Sequence, residues 1–247
     1  MNPELYREHA RLEADHWWFR GRREVIRAFL RPALPQRVGR ALDVGCGTGL
    51  NARLLSEFAD DVEALESSDE AIALARELVS ELKVRKGLFP QDAGEGPYDL
   101  ITLFDVLEHT DDDGAALRRI EALLAPGGTA LITVPALPLL WSEHDVLAHH
   151  RRRYTRASLL AAVGQNTQLQ VLRVSYFNSL LFPPILAFRL ARRVLKLNPG
   201  ASDFFAIPPG VNALLHAVFS AEARLLKRVD APVGVSLICL LRRPTPS

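Results

Sequence analysis

The sequence predicts an α/β protein built on an open, doubly wound parallel sheet. One observation behind this is the stretch Ala41-Leu42-Asp43-Val44-Gly45-Cys46-Gly47-Thr48-Gly49-Leu50, where an apolar run gives way to alternating glycines and then to the helical spacing Leu50, Leu54, Leu55, Phe58. That is a buried strand, a tight turn and a helix start in one segment. The second is repetition: strand-like apolar runs alternate with helix-like ones, a pattern that packs helices on both faces of a parallel sheet. At 247 residues the chain can hold one large domain with additions.

Asn2 and Pro3 read as the cap and first-turn proline of a helix running toward Asp15. His16-Trp17-Trp18-Phe19-Arg20-Gly21-Arg22-Arg23 follows, the densest aromatic and basic cluster in the chain, and Val25, Ile26, Phe29 and Leu30 continue a helical face to Pro32 and Pro35. The aromatics either pack on the sheet edge or cap a ligand, with an arginine facing its carboxylate.

The glycine turn then places bare N–H groups and a helix N-terminus above the first strand. A dinucleotide fingerprint would need glycine where Leu50 stands, which disfavours a nicotinamide dehydrogenase, and no Lys-Ser or Lys-Thr follows to make a P-loop.

Asp61 to Glu66 is the second strand, before a helix from Glu70 to Leu82 with Asp69 as its N-cap. Glu66 falls about twenty residues past the turn, where a carboxylate can accept bonds from both hydroxyls of a ribose; otherwise it is a solvated acid. Leu82 to Leu88 gives a third strand, and Tyr98 to Phe104 a fourth that runs into Asp105-Val106-Leu107-Glu108-His109. Phe104 and Asp105 sit at a carboxyl strand end, where such sheets bind ligands. Asp111, Asp112 and Asp113 open a helix carrying Leu117, Ile120, Leu123 and Leu124, which Pro126-Gly127-Gly128 ends before a fifth strand, Thr129 to Val134. A helix from Thr155 to Val163, a strand from Gln168 to Phe177 and a last strand from Gly234 to Leu241 complete the framework.

With 30 basic and 29 acidic residues, net charge +1, no global field favours nucleic acid. Two cysteines, Cys46 and Cys239, make neither a disulfide framework nor a metal cluster, and a cytoplasmic setting is expected. The charged N-terminus lacks a secretory core, and the apolar run Leu180 to Phe188 is too short to span a bilayer.

The apolar strand with its acid and Gly-x-Gly-x-Gly turn resembles motif I of the class I S-adenosylmethionine-dependent methyltransferases. The Val106-Leu107-Glu108-His109 run resembles their motif IV region, and the LLAPGG turn is a further likeness. The HWWF segment, with the loop WSEHD to HHRRRY, is similar to a bacterial subgroup. The resemblance implies a Rossmann-like seven-stranded sheet of order 3-2-1-4-5-7-6 with the last strand antiparallel. It implies transfer of the methyl group of S-adenosylmethionine, leaving S-adenosylhomocysteine. Cofactor contacts are then expected from Trp18, Arg22, Asp43, Gly45, Cys46, Gly47, Gly49, Glu66, Ser67, Phe104 and Asp105, with Arg22 on the methionine carboxylate and Ser67 beside the adenine. The family often has Gly-Asp after the third strand; this chain has Gly87-Leu88. Either Asp92 substitutes or the adenine meets backbone at Leu88 and Phe89.

In-line transfer from an activated sulfonium relies on alignment, with a base needed only if the acceptor must lose a proton; His144, His149 and His109 are the candidates. No metal is expected, because Arg151, Arg152 and Arg153 would oppose a cation. The catalytically silent alternative is a cofactor- or partner-binding protein on the same fold.

The expected organisation is a single domain. It comprises an N-terminal helical cap (1–35), a cofactor-binding core (36–177), a helical insertion (178–232) and the last strand (233–243). In the insertion, Arg189, Arg192, Arg193 and Lys196 form a basic stripe beside an apolar face of Leu186, Leu190, Val194 and Leu197, and Val211, Leu214, Leu215 and Val218 repeat the apolar pattern. The insertion is read as a lid over a small, lipophilic acceptor, against a homodimer contact or a peripheral helix on the inner membrane face.

Overall fold

A computed structural model of the chain describes residues 3–195 and 206–246. Lys196 and Leu197 of the expected stripe and face lie outside the described residues, as does Asn2. Two helices, α1 (Pro3–Leu12) and α2 (Trp17–Ala33), precede the sheet. The strands and helices β1 (Val38–Val44), α3 (Leu50–Leu55), β2 (Ala59–Glu66), α4 (Asp69–Leu78), β3 (Lys83–Lys86), β4 (Tyr98–Phe104), α5 (Asp113–Leu123) and β5 (Leu124–Pro135) follow. After them come α6 (Glu143–Leu147), α7 (Arg156–Asn166), β6 (Gln170–Phe177), α8 (Phe182–Leu195), α9 (Pro209–Leu225) and β7 (Ser236–Arg242).

The seven strands form one sheet of order β3-β2-β1-β4-β5-β7-β6. The pairs from β3 through β5 are parallel, and β7 runs antiparallel to both β5 and β6. The carboxyl ends of β1, β2 and β4 therefore open on one edge of the sheet, and the functional residues gather there.

Some boundaries differ from the sequence reading for local reasons. Ser68, not Asp69, caps α4, its hydroxyl accepting from the Ala71 N–H at 3.3 Å. The helix ends at Leu78, where Val79 is already non-helical. The Leu124 to Gly128 segment is counted into β5 rather than ending the preceding helix, and the register between Tyr98 and Leu100 shifts to absorb it.

Alternate residues of each strand feed two cores, as the pleat demands. Leu42, Val44, Ile101 and Leu103 join Leu117, Ile120 and Leu159 from α5 and α7. Ala41, Leu100, Leu131 and Ile238 join the second core with Trp17, Trp18, Ile26 and Phe29 of α2 and Phe219 of α9. Phe219 stacks on Phe177 with ring centroids 6.3 Å apart and lies 5.7 Å from Trp18. Gly21 makes this possible, because a Cβ there would collide with the Phe219 ring. The N-terminal aromatics thus bind the inserted helix to the sheet.

Candidate functional site

Above the carboxyl strand ends lies a cavity of about 760 Å³, a size that suits cofactor and substrate together. Its floor is the glycine turn. Gly45 and Gly47 have positive φ, and a Cβ at Gly45 would also strike Val106. Glu66, almost fully buried at the end of β2, accepts from the Gly47 N–H through Oε2 (2.9 Å) and from the Ser67 and Ser68 N–H groups through Oε1 (2.8 and 2.9 Å). One carboxylate thereby fastens the turn after β1 to the turn after β2.

Arg22 reaches the same cavity from α2. Its Nη2 lies 3.0 Å from Asp105 and 3.3 Å from the Thr133 hydroxyl, with the guanidinium carbon 5.6 Å from the centre of the Phe104 ring. Its buried Nε has no hydrogen-bond partner among the described residues. Glu13 accepts from the Thr48 hydroxyl, and burial raises its pKa.

Of the expected cofactor residues, Trp18, Arg22, Gly45, Cys46, Gly47, Glu66, Ser67, Leu88, Phe89, Phe104 and Asp105 all line the cavity. Two do not. Asp43 is buried beneath the turn, its Oδ1 accepting from Thr102 at 2.6 Å, and burial raises its pKa to about 7. Gly49 starts α3 at φ 84°, tight against Leu82 and Ala75, which is a packing role. Asp92 turns its carboxylate to the Leu88 N–H at 2.9 Å and shapes the loop behind Leu88 and Phe89.

The other half of the cavity is a histidine cluster. His109, His144, His149 and His150 all line it. The His109 and His150 rings are 4.7 Å apart edge to face, and burial, followed by the neighbouring His150, pulls the His109 pKa down to about 4. Asp145 is fully buried and accepts from His150 Nδ1 (2.8 Å), from Arg153 Nε and Nη2 (2.8 and 3.0 Å) and from the Ser142 N–H (2.7 Å). Burial opposes its charge, but the His150 bond and Arg153 prevail and hold it well below the carboxylate range. Glu108, fully buried, is pushed well above that range by burial and by Asp105.

The arginine triplet does not face a cation. Arg151 meets Asp111, Arg152 meets Asp113, and Arg153 is forked on Asp145 and bonded to the Ala136 carbonyl. One carboxylate oxygen of Glu108 with a ring nitrogen each from His109 and His150 lies within a mutual 4.8 Å.

Sequence reasoning missed Glu108, His150, Tyr6, Glu13, Thr48 and Asn178 as cavity residues. Glu108 and His150 were visible only as parts of VLEH and HHRRRY, with no cue that two segments some forty residues apart converge.

A Rossmann-like sheet with a glycine turn after its first strand and an acid closing its second defines a methyltransferase-type cofactor fold. Known proteins agree. The model of the methyltransferase domain family matches residues 16–174. The ubiquinone biosynthesis O-methyltransferase of Xanthomonas campestris is 30% identical over 163 residues, covering 59% of this chain and 67% of that protein. Solved structures share the fold: a chain from the complex of the Haloferax volcanii Trm112 methyltransferase activator with its methyltransferase has 17% identity, covers 99% of this chain and 96% of that one, and gives a TM-score of 0.62. The phosphoethanolamine N-methyltransferase 2 of Haemonchus contortus, at 18% identity, covers 88% and 52% with a TM-score of 0.58. The chain belongs to the methyltransferase domain family. It is an enzyme that transfers the methyl group of S-adenosylmethionine to a small-molecule acceptor. No helix among the described residues is long and apolar enough to cross a membrane.

Proposed function

We propose that the acceptor is a small lipophilic molecule methylated on a hydroxyl oxygen. The observation that carries this is the lining of one cavity: a glycine turn and Glu66 at one part, histidines at another, and Ile185, Phe188, Ile207 and Leu215 as apolar wall. The oxygen-methylating activity named for the Xanthomonas relative agrees with it.

In this reading Glu66 holds the ribose. Three backbone N–H groups already occupy most of the roughly four lone-pair positions of a carboxylate, so it has room for about one strong hydroxyl bond, on Oε2. Ser67 borders the adenine, Leu88 and Phe89 offer it backbone, and the partnerless Nε of Arg22 faces the methionine carboxylate beneath Trp18. The carboxylates of Glu66 and Asp105 at the cavity favour a cationic sulfonium. The acceptor hydroxyl gives its proton to a histidine, with His144, His149 and His109 as the candidate bases.

The helices α8 and α9 serve as the lid of the acceptor half, since Ile185, Phe188 and Arg189 of α8 and Leu215 of α9 line the cavity. A second reading rests on Val194 and Leu195, 77% and 63% exposed at the end of α8, which suit a membrane surface; a homodimer contact would use the same residues. The test is methyl transfer from labelled cofactor to matched pairs of phenolic, alcoholic and amine acceptors with and without alkyl tails. Preference for tailed hydroxyl compounds supports the proposal, and preference for amines or for untailed acceptors refutes it. Sedimentation with anionic vesicles separates the lid from the membrane reading.

A further inference from the structure

We propose that Glu108, His109 and His150 form a divalent transition-metal site that holds the acceptor oxygen beside the cofactor. This deepens the functional reading above and rests on it. Glu108 is fully buried, and neither carboxylate oxygen has a hydrogen-bond partner among the described residues. An unsatisfied buried carboxyl group, ionised or protonated, is costly, and a native fold keeps one where something binds it. His150 Nε2 stands 3.9 Å from Glu108 Oε1, too far for a hydrogen bond, while the three potential ligand atoms stay within 4.8 Å of one another.

The surroundings have the form that metal-ligating histidines require, in which the second ring nitrogen is held by a partner that fixes the ring. His150 Nδ1 is bonded to Asp145 at 2.8 Å, and Asp145 is itself braced by Arg153 and the Ser142 N–H. His109 packs edge to face on the His150 ring, with centroids 4.7 Å apart. His150, with Nδ1 engaged, thus keeps Nε2 to serve the site. Two imidazoles and one carboxylate suit zinc, manganese or iron(II) better than calcium or magnesium, and three protein ligands leave positions open for a substrate oxygen.

The chemistry follows from that open position. A hydroxyl bound to the metal loses its proton more readily, and with His109 acting as ligand the proton passes to His144 or His149. The oxygen then attacks the sulfonium methyl carbon; the new O–C bond forms as the C–S bond breaks, its electron pair returning to sulfur to leave neutral S-adenosylhomocysteine. Asp145 is a positioning residue that acts through His150.

The experiment uses the full chain, stripped with a chelator and titrated calorimetrically with Zn²⁺ and with Mn²⁺, alongside cofactor titration of the same samples. One metal ion per chain is expected. Glu108→Gln and His150→Ala should weaken binding at least about a hundredfold, and Asp145→Asn by about ten- to a hundredfold, with cofactor affinity unchanged. Cobalt(II) should give the visible absorption of a low-symmetry site in the wild type and lose it in Glu108→Gln. Absence of stoichiometric metal in the wild type, or undiminished binding in both Glu108→Gln and His150→Ala, overturns the proposal. Stoichiometric metal binding without methylation of any hydroxyl acceptor would instead remove the functional reading while leaving the site.

Discussion

Replacing Glu66 tests the cofactor site and the turn beneath it in one series. Three backbone N–H groups, of Gly47, Ser67 and Ser68, donate to this carboxylate at 2.8 to 2.9 Å. Glu66→Ala removes both acceptor oxygens, and with them all three bonds, from a nearly buried position. At about 1 kcal/mol for each bond, and up to about 3 where the donor stays dry, the expected loss is about 2 to 4 kcal/mol. For a chain of this size that lowers the Tm by about 5 to 12 °C. Glu66→Gln keeps one oxygen for Ser67 and Ser68 and turns an amide toward the Gly47 N–H, so it should cost about 1 kcal/mol. Cofactor affinity behaves differently, because the ribose bond depends on the charge that both variants lack; a weakening of about 1 to 3 kcal/mol is expected in each. Differential scanning calorimetry and isothermal titration on the three proteins provide the comparison. The reasoning is refuted if alanine and glutamine are equally stable, or if either binds S-adenosylmethionine like the wild type.

Arg22→Lys should weaken cofactor binding at least about tenfold despite keeping a charge, because an ammonium cannot rest on Asp105 and Thr133, as Nη2 does, while offering a second nitrogen such as Nε to the carboxylate; titration of the folded variant decides, and unchanged affinity dismisses Arg22 from the carboxylate. Asp43 has a folded pKa raised from 3.8 to about 7. The unfolded chain therefore releases this proton first as pH rises, and the group costs stability progressively from about pH 4 to 7, at about 1.4 kcal/mol per unit as an upper bound. Asp43→Asn, which keeps an oxygen for Thr102, should raise the Tm at pH 8 and leave it almost unmoved at pH 4; equal effects at both would contradict the assignment. Gly21→Ala drives a methyl into the Phe219 ring and should cost about 1 to 3 kcal/mol, read as a lower denaturant midpoint, whereas a neutral result would mean that α9 is not seated on α2.

The framework was legible because its signals are local. The run Ala41 to Leu50 contains strand, turn and helix start together, and Tyr98 to Phe104 was bounded correctly because its apolar run begins and ends sharply. Caps were less certain, since Ser68 and Asp69 are both good capping residues and only the backbone angle at Ser68 separates them. The histidine site was not legible for a different reason. Arg151, Arg152 and Arg153 are consecutive along the chain, but in space each turns to its own aspartate, and Glu108 arrives beside His150 from another segment. Spacing reports neighbours along an element, and pairing across loops is settled by packing.

The contact between Phe219 and the Gly21 notch also bears on how this scaffold could be re-engineered. The wall it makes is assembled from α2 and α9, whose contacting residues are separated by almost the whole of the cofactor-binding core in sequence. A chimera that grafts a foreign 178–232 segment to change substrate choice would therefore inherit a mismatched seam unless α2 travels with it. The two pieces form one exchangeable cassette, and the Gly21 and Phe219 pair is the fitting by which a donor cassette should be matched before any acceptor residue is redesigned.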